Sequence, residues 1–303
     1  MQVIFSKGEI SDDPLVNACL VTYNQHQYIS EAIDSILMQQ TNFKFMLVIA
    51  DDFSTDGTRE VILNYQSKNP EKIIVILQEK NVGLAQNWTD VITFQQPKYI
   101  AYLEGDDYWT DPLKLQKQFD FLKQHPSLVL CFHDYEFINI DGVPLQRKVE
   151  EISKKDRTPY EMVRGCLIHQ NTVMFRNVIR EIPSEFYHAK NYDTFFIAYL
   201  SNWGGAGYIK DIQPLMYRIH SEGVWSSKSA VVKSIYNIHT LLLIKEVVNN
   251  KFHDVINYKV LSVRMALTKL YFFDREYGKT ILFFLSSIFF AFKFKIFRKP
   301  KYY

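Results

Sequence analysis

Over the first half of the chain, short unbroken apolar runs alternate with stretches of helical period. Residues 15–23, 45–50, 73–77 and 99–103 are apolar runs bounded by polar positions, the pattern of strands buried on both faces of a sheet. Between the first two, Ile29, Ala32, Ile33, Ile36 and Leu37 recur at the spacing of one helix face. Ser54-Thr55-Asp56-Gly57 supplies a turn and an N-cap, with Ser54 and Asp56 as capping candidates, for a helix over 58–68. Asn81-Val82-Gly83 turns the chain into a further helix over 84–95. Strands alternating with helices predict an α/β fold with a parallel sheet covered on both faces.

The second half is less regular. Asp111-Pro112 reads as N-cap and first helical position of a helix reaching Lys123. A strand is expected over 128–132, a hairpin turn at Asp141-Gly142, and a polar, mobile loop covering the site over 143–158. A strand over 172–176 and a helix over 192–203, ended by Gly204-Gly205, come next. One or two strands follow within 209–219, with Pro214 marking an edge position. From Ser229 the pattern is helical, over 230–249 and 253–277. A charge-free segment, 280–292, then precedes a basic tail with Lys293, Lys295, Arg298, Lys299 and Lys301. That segment is well short of the ~20 residues needed to span a bilayer. Its phenylalanines and basic flank predict a helix lying in a membrane interface; packing onto the rest of the protein is the alternative. The expected division is a catalytic domain, 1–227, and a helical extension, 228–303.

Each predicted strand of the first half ends in polar residues: Thr22 and Asn24, Asp51 and Asp52, Gln78 and Asn81, and Glu104 to Asp107. In a parallel sheet these ends share one edge, where open α/β folds bind ligands. Glu104-Gly105-Asp106-Asp107 concentrates hard oxygen ligands there. Such ligands suit Mg²⁺ or Mn²⁺, and those ions suit a diphosphate. Taken alone, the tetrapeptide reads equally well as a polar loop before a helix.

Composition narrows the classes. A net charge of +2 does not support a nucleic-acid partner. Cys19, Cys131 and Cys166 are far apart, which excludes zinc spacing and a disulfide framework and leaves them as small buried residues. The first residues carry Glu9, Asp12 and Asp13 and no long apolar run, so a cytoplasmic location is expected. There is no G-x-G-x-x-G and no P-loop.

The order Val21-Thr22-Tyr23-Asn24, Ala50-Asp51-Asp52 with Ser54-Thr55-Asp56-Gly57, Asn81-Val82-Gly83, Glu104-Gly105-Asp106-Asp107 and Trp109-Thr110-Asp111-Pro112, then Asp193 and Tyr217-Arg218-Ile219-His220, resembles the family 2 glycosyltransferases of GT-A fold. The resemblance covers roughly residues 15–227. It implies a Rossmann-like mixed sheet flanked by helices, a nucleotide-sugar donor, a divalent metal and inversion at the anomeric carbon. Carried over residue by residue, it implies that Thr22 and Asn24 approach the nucleotide and that Asp51 accepts a hydrogen bond from the base, commonly uracil. Asp52 is a weaker candidate that also reads as a turn residue. Glu104 stands where the family has the first Asp of Asp-x-Asp, and is expected to reach the donor sugar or ribose. Asp106 is expected at ribose or metal, and Asp107, five residues before Pro112, at the metal. Asp193 corresponds to the base that takes the acceptor hydroxyl proton, although Tyr192 precedes it where the family often has Gly or Glu. His220 corresponds to a histidine completing the metal or touching the diphosphate. Arg218 is a phosphate partner or a structural ion pair, and Trp109 with His169-Gln170-Asn171 is expected at the acceptor pocket.

The function implied is transfer of a sugar, with a UDP-sugar as the favoured donor, to a glycan or lipid-linked acceptor at the cytoplasmic membrane face, in cell-surface polysaccharide synthesis of the bacterial type. A non-catalytic glycan- or nucleotide-sugar-binding protein on the same fold is the alternative. Such a protein has no need of the carboxylates kept here at the base and metal positions. A nucleotidyltransferase wants a glycine-rich basic loop after the first strand, and Tyr23-Asn24-Gln25-His26-Gln27 is neither.

Overall fold

A computed structural model describes residues 1–4, 14–94, 96–147, 149–165, 167–220 and 228–303. The readings placed on Glu9, Asp12, Asp13, Cys166 and the end of the helix at Gln95 lie outside the described residues. The chain forms two compact units: residues 1–156, 168–182 and 206–219, and residues 157–167, 183–205 and 220–303.

The first unit holds the sheet. Its elements are β1 (Gln2–Ile4), β2 (Val16–Thr22), α1 (Ile29–Leu37), β3 (Phe45–Asp51), α2 (Thr58–Lys68), β4 (Ile73–Leu77), α3 (Leu84–Thr93), β5 (Tyr99–Glu104), α4 (Lys114–Gln124), β6 (Leu128–Phe132), β7 (Tyr135–Ile138), β8 (Met174–Arg176), β9 (Gly205–Tyr208) and β10 (Leu215–Arg218). Eight strands form one mixed sheet in the order β1-β4-β3-β2-β5-β8-β6-β9, and β7 pairs in parallel with β10. The four predicted strands of the first half lie side by side in parallel at its centre. Every residue of β2 and of β4 is buried, as unbroken apolar runs require. The helices seal the faces: Ile29, Ala32, Ile33 and Ile36 of α1 enter the same core as Val16, Leu20 and Leu103.

Several expectations are corrected. β1 adds an unforeseen antiparallel edge strand against β4. Asp111 is not the cap of α4, which begins at Lys114 after Leu113. Its carboxylate instead accepts from the Leu113 and Gln213 main-chain N–H groups and pairs with Lys117 at 2.7 Å. Ser54 does not cap α2 either; its hydroxyl accepts from the Asn24 N–H. The Asp141-Gly142 turn does form, with Leu145 N–H reaching the Phe137 carbonyl. The stretch expected as one or two strands within 209–219 does contribute one, β10; α6 ends before Gly204-Gly205 as read, and β9, not foreseen, starts at Gly205. Within 143–158, Glu151–Ser153 form a single 3₁₀ turn, and Lys154 pairs with Glu151 and Asp134.

The second unit is helical: α5 (Pro159–Met162), α6 (Tyr192–Leu200), α7 (Ala230–Val247), α8 (His253–Phe273) and α9 (Tyr277–Lys293). Thr158 and Glu161 form a capping box on α5. Phe186, Phe195, Phe252 and Ile244 are buried within this unit. The Asn191 side chain bonds Asn237, fastening the start of α6 to α7.

Candidate active site

Register makes the site. In the parallel pairing Thr22 stands opposite Asp51, and Val21 opposite Glu104. The polar ends of β2, β3 and β5 therefore emerge together at the carboxyl edge of the first unit's sheet.

The loops after β2 and β3 are laced by their own side chains. Asn24 takes a left-handed conformation (φ 51°), which Asn tolerates, and its side-chain oxygen accepts from the Thr55 N–H. Gln25 N–H donates to Thr58 Oγ1, and His26 N–H to Asp56, which also accepts from the Thr58 N–H at the start of α2. Asp52, the weaker ligand candidate, takes the turn role that was also read for it. Its two oxygens accept from the Val82 and Gly83 N–H groups at 2.7 and 3.0 Å, holding the loop before α3.

Asp51 is fully buried. One oxygen, Oδ2, is engaged by Arg59 Nε at 2.8 Å and Nη2 at 2.7 Å. The other, Oδ1, has no hydrogen-bond partner among the described residues. A buried carboxylate oxygen without a donor is costly, and it is suited to receive an N–H from a ligand.

The acidic cluster lies at the end of β5. Gly105 passes so close to the β2 loop that an added Cβ would lie 2.6 Å from Gln25 Oε1 and 2.9 Å from Thr22 Oγ1, so a side chain there would have to displace both. Glu104, Asp106 and Asp107 offer oxygens that all lie within 4.8 Å of one another. Glu104, read from the sequence as a sugar or ribose contact, thus joins the two aspartates. Asp107 is buried; burial first, then the charges of Asp106 and Glu104, hold its carboxyl well above the usual carboxylate range. Its Oδ1 accepts from the Arg218 main-chain N–H at 2.9 Å, and its Oδ2 accepts from the Asn171 side-chain amide. The same amide nitrogen reaches Glu104 at 3.3 Å. Three crowded carboxylates form an oxygen donor set that fits a hard divalent cation such as Mg²⁺ or Mn²⁺.

Arg218 is structural. Its guanidinium donates to the Asp106, Asn139 and Ile140 carbonyls, pairs with Glu31 at 2.7 Å, and lies over the Tyr28 ring. Trp109 does not line a pocket: it is buried, and its Nε1–H holds the Asn171 carbonyl at 2.9 Å. Lys114 Nζ lies 3.8 Å from the Trp109 ring centroid and donates to Gln118 at 2.6 Å. Burial depresses the Lys114 ammonium to about 7. His169 packs between Tyr135 and Tyr217, and burial lowers its imidazole to about 4.

Thr22, Asn24, Asp51, Glu104, Asp106 and Asp107 thus share one edge of the first unit. Asp193 and His220 belong to the second. Asp193 lies in the first turn of α6, after the N-cap Asn191, and accepts from the Thr194 N–H at 2.6 Å. Solvent reaches its carboxylate, yet the surrounding protein raises its pKa, with the Thr194 bonds pulling the other way. His220 is half-buried.

The sequence resemblance is borne out by the family model for glycosyl transferase family 2, which matches residues 18–183, more than half of the chain. The chain belongs to that family. An uncharacterized protein of Mycobacterium tuberculosis is 33% identical over 209 residues, which are 68% of this chain and 59% of that protein. This chain therefore spans well under two thirds of that relative. The Escherichia coli protein WfgD, a UDP-Glc:alpha-D-GlcNAc-diphosphoundecaprenol beta-1,3-glucosyltransferase, is 24% identical over 88% of this chain and 99% of its own length. Among solved structures, the mannosyltransferase PcManGT of Pyrobaculum calidifontis, in complex with GDP-Man and Mn²⁺, superposes with a TM-score of 0.63 at 13% identity. That match covers 96% of this chain and 78% of PcManGT. The likeness establishes the GT-A architecture expected of this family: a mixed sheet flanked by helices, with a helical C-terminal part.

Proposed function

We propose that this protein is an inverting, metal-dependent glycosyltransferase. It moves a sugar from a nucleotide-diphosphate donor, with UDP-sugars favoured, to a hydroxyl of a glycan or lipid-linked acceptor in cell-surface polysaccharide synthesis of the bacterial type. The observation that carries this reading is the convergence of Glu104, Asp106 and Asp107 on one sheet edge with Asp51, whose Oδ1 lacks a donor. The UDP-Glc donor and diphosphoundecaprenol-linked acceptor in the name of WfgD support it.

In this reading Asp51 accepts the N–H of the base, with Thr22 and Asn24 flanking the nucleotide. Asp107 and Asp106, joined by Glu104, would hold Mn²⁺ or Mg²⁺, with His220 as the further ligand candidate; the ion when bound would neutralise charge on the departing diphosphate. Glu104 also serves a sugar or ribose hydroxyl in this reading. Asp193 takes the acceptor proton as that oxygen attacks the anomeric carbon. A carboxylate whose pKa is raised is the better base for a hydroxyl. Residues 1–227 carry these roles and 228–303 form an extension, a functional boundary that runs within the second compact unit. Catalysis is assigned to the cytoplasmic side, where nucleotide sugars are supplied.

The test is thermal unfolding with UDP, GDP, CDP and dTDP, each with and without Mn²⁺, on wild type and Asp107→Asn. A ligand at ~100 times its Kd stabilises by about 2.7 kcal/mol. A UDP shift that needs Mn²⁺ and is lost in Asp107→Asn is expected. No shift with any nucleotide would overturn the reading in favour of a structural acidic loop.

A further inference from the structure

The last helix is inside out. From Ile281 to Phe292 the positions of α9 that face away from α8 are all large and apolar: Ile281, Leu282, Leu285, Ile288, Phe289 and Phe292, with Phe284 beside them. Leu285 is 58% exposed and Phe289 71%. At 100° per residue these side chains sweep roughly 160° of the helix surface. The polar residues of the same stretch point the other way. Ser287 is fully buried and bonds the Phe283 carbonyl, and Ser286 accepts from Arg264 of α8 at 2.6 Å. The Arg264 guanidinium also lies against the Phe283 and Phe290 rings, 5.8 and 5.4 Å from their centroids. A helix packed for water hides its apolar side and shows its polar one. Polar groups at the helix–helix contact with apolar groups outward is the distribution of a lipid-facing helix.

The neighbouring turn extends this surface. Phe272, Phe273 and Tyr277 are exposed, with Phe273 at 76%. A groove of about 490 Å³ between α8 and α9, bordered by Met265, Lys269, Phe272, Phe273 and Phe284, offers apolar walls to an acyl chain. Charge selects the occupant. After Glu276, which pairs with Lys279, the sequence has no acid, while Lys293, Lys295, Arg298, Lys299 and Lys301 supply cations at the C-terminal end of the helix. No helix among the described residues is long and apolar enough to cross a membrane.

We propose that the α8–α9 hairpin docks this protein in the surface of an anionic lipid bilayer. The outward face of α9 lies among the acyl chains nearest the headgroups, and the basic tail rests on lipid phosphates. An apolar helix face inserts shallowly, and basic residues beside it add attraction to anionic lipid that fades with salt. The proposal is independent of the donor and of the chemistry assigned to the first unit.

The experiment is flotation of the full chain with vesicles of phosphatidylcholine, alone or mixed with phosphatidylglycerol. Binding to the mixed vesicles more than about tenfold tighter than to phosphatidylcholine alone is expected, weakening with added salt. The triple variant Leu285→Asp, Phe289→Asp, Phe292→Asp changes only exposed side chains. It should keep the wild-type unfolding temperature and the wild-type nucleotide response while losing vesicle binding. Replacing Lys293, Lys295, Arg298, Lys299 and Lys301 with Gln should remove the preference for anionic vesicles. Two results would overturn the proposal. One is wild type that ignores vesicles or fails to distinguish them. The other is a wild-type dimer, without vesicle binding, that the triple variant converts to monomer, which would assign the face to a second copy of the chain.

Discussion

Asn171 donates its side-chain amide to the buried carboxylate of Asp107 and with the same nitrogen reaches Glu104. Trp109 fixes the other end of this contact by holding the Asn171 carbonyl. An amide so placed keeps the two carboxyl groups in a fixed relation. Asn171→Ala is therefore expected to weaken Mn²⁺ binding by about 10–100-fold, the usual effect of removing a group that orients a metal ligand. Leaving a buried carboxyl oxygen without its donor should also lower metal-free stability by about 1–3 kcal/mol. Titration of Mn²⁺ by paramagnetic resonance and urea unfolding read the two effects. Unchanged Mn²⁺ affinity in a folded variant would count against the positioning role.

Asp193 lies in the second unit, and the base role proposed for it predicts an effect separable from donor binding. Asp193→Asn should lower sugar transfer by about 10²–10⁴-fold, the range for loss of a general base, and leave the nucleotide-dependent thermal shift intact. The base must be ionised to act. Because its pKa is raised, activity in wild type should climb with pH through a limb lying above the ordinary carboxylate value of 3.8. Transfer at the wild-type rate in the Asn variant would remove Asp193 from the mechanism.

Lys114 makes stability depend on pH. Burial lowers its pKa from 10.5 to about 7 in the folded protein. Between those values the unfolded chain binds more protons than the folded one, so this residue's contribution to stability rises with pH across that window. Cys19 and Cys131 act in the opposite sense above their ordinary value of 9.0, because burial raises both thiols and the folded state then holds the extra protons. The clean window is pH 7 to 9. There, wild type should gain stability relative to Lys114→Met, and below pH 7 the difference should level off. Urea unfolding across this range checks the slope; parallel curves for the two proteins would show that Lys114 keeps its proton in the folded state throughout.

By itself the sequence determined the elements of the first half and the edge they share. Uninterrupted apolar runs can satisfy burial only as central strands, and their polar ends must then emerge together. The pairing of Thr22 with Asp51, and of Val21 with Glu104, follows from that arrangement. The acidic cluster was legible for the same reason, since its three carboxylates sit within four consecutive residues. Tertiary structure decided what surrounds them. Asn171 and the Arg218 main chain reach Asp107 from 64 and 111 residues away, and no local spacing encodes such contacts. Trp109 and Asp111 read as pocket wall and helix cap, but burial gave Trp109 to the core and long-range donors claimed Asp111. β1, at three residues, is too short to show a period and exists only because β4 offers it an edge. The final helix is apolar nearly all round in sequence. Only its packing on α8, through Arg264 and Ser286, fixes which side it turns outward.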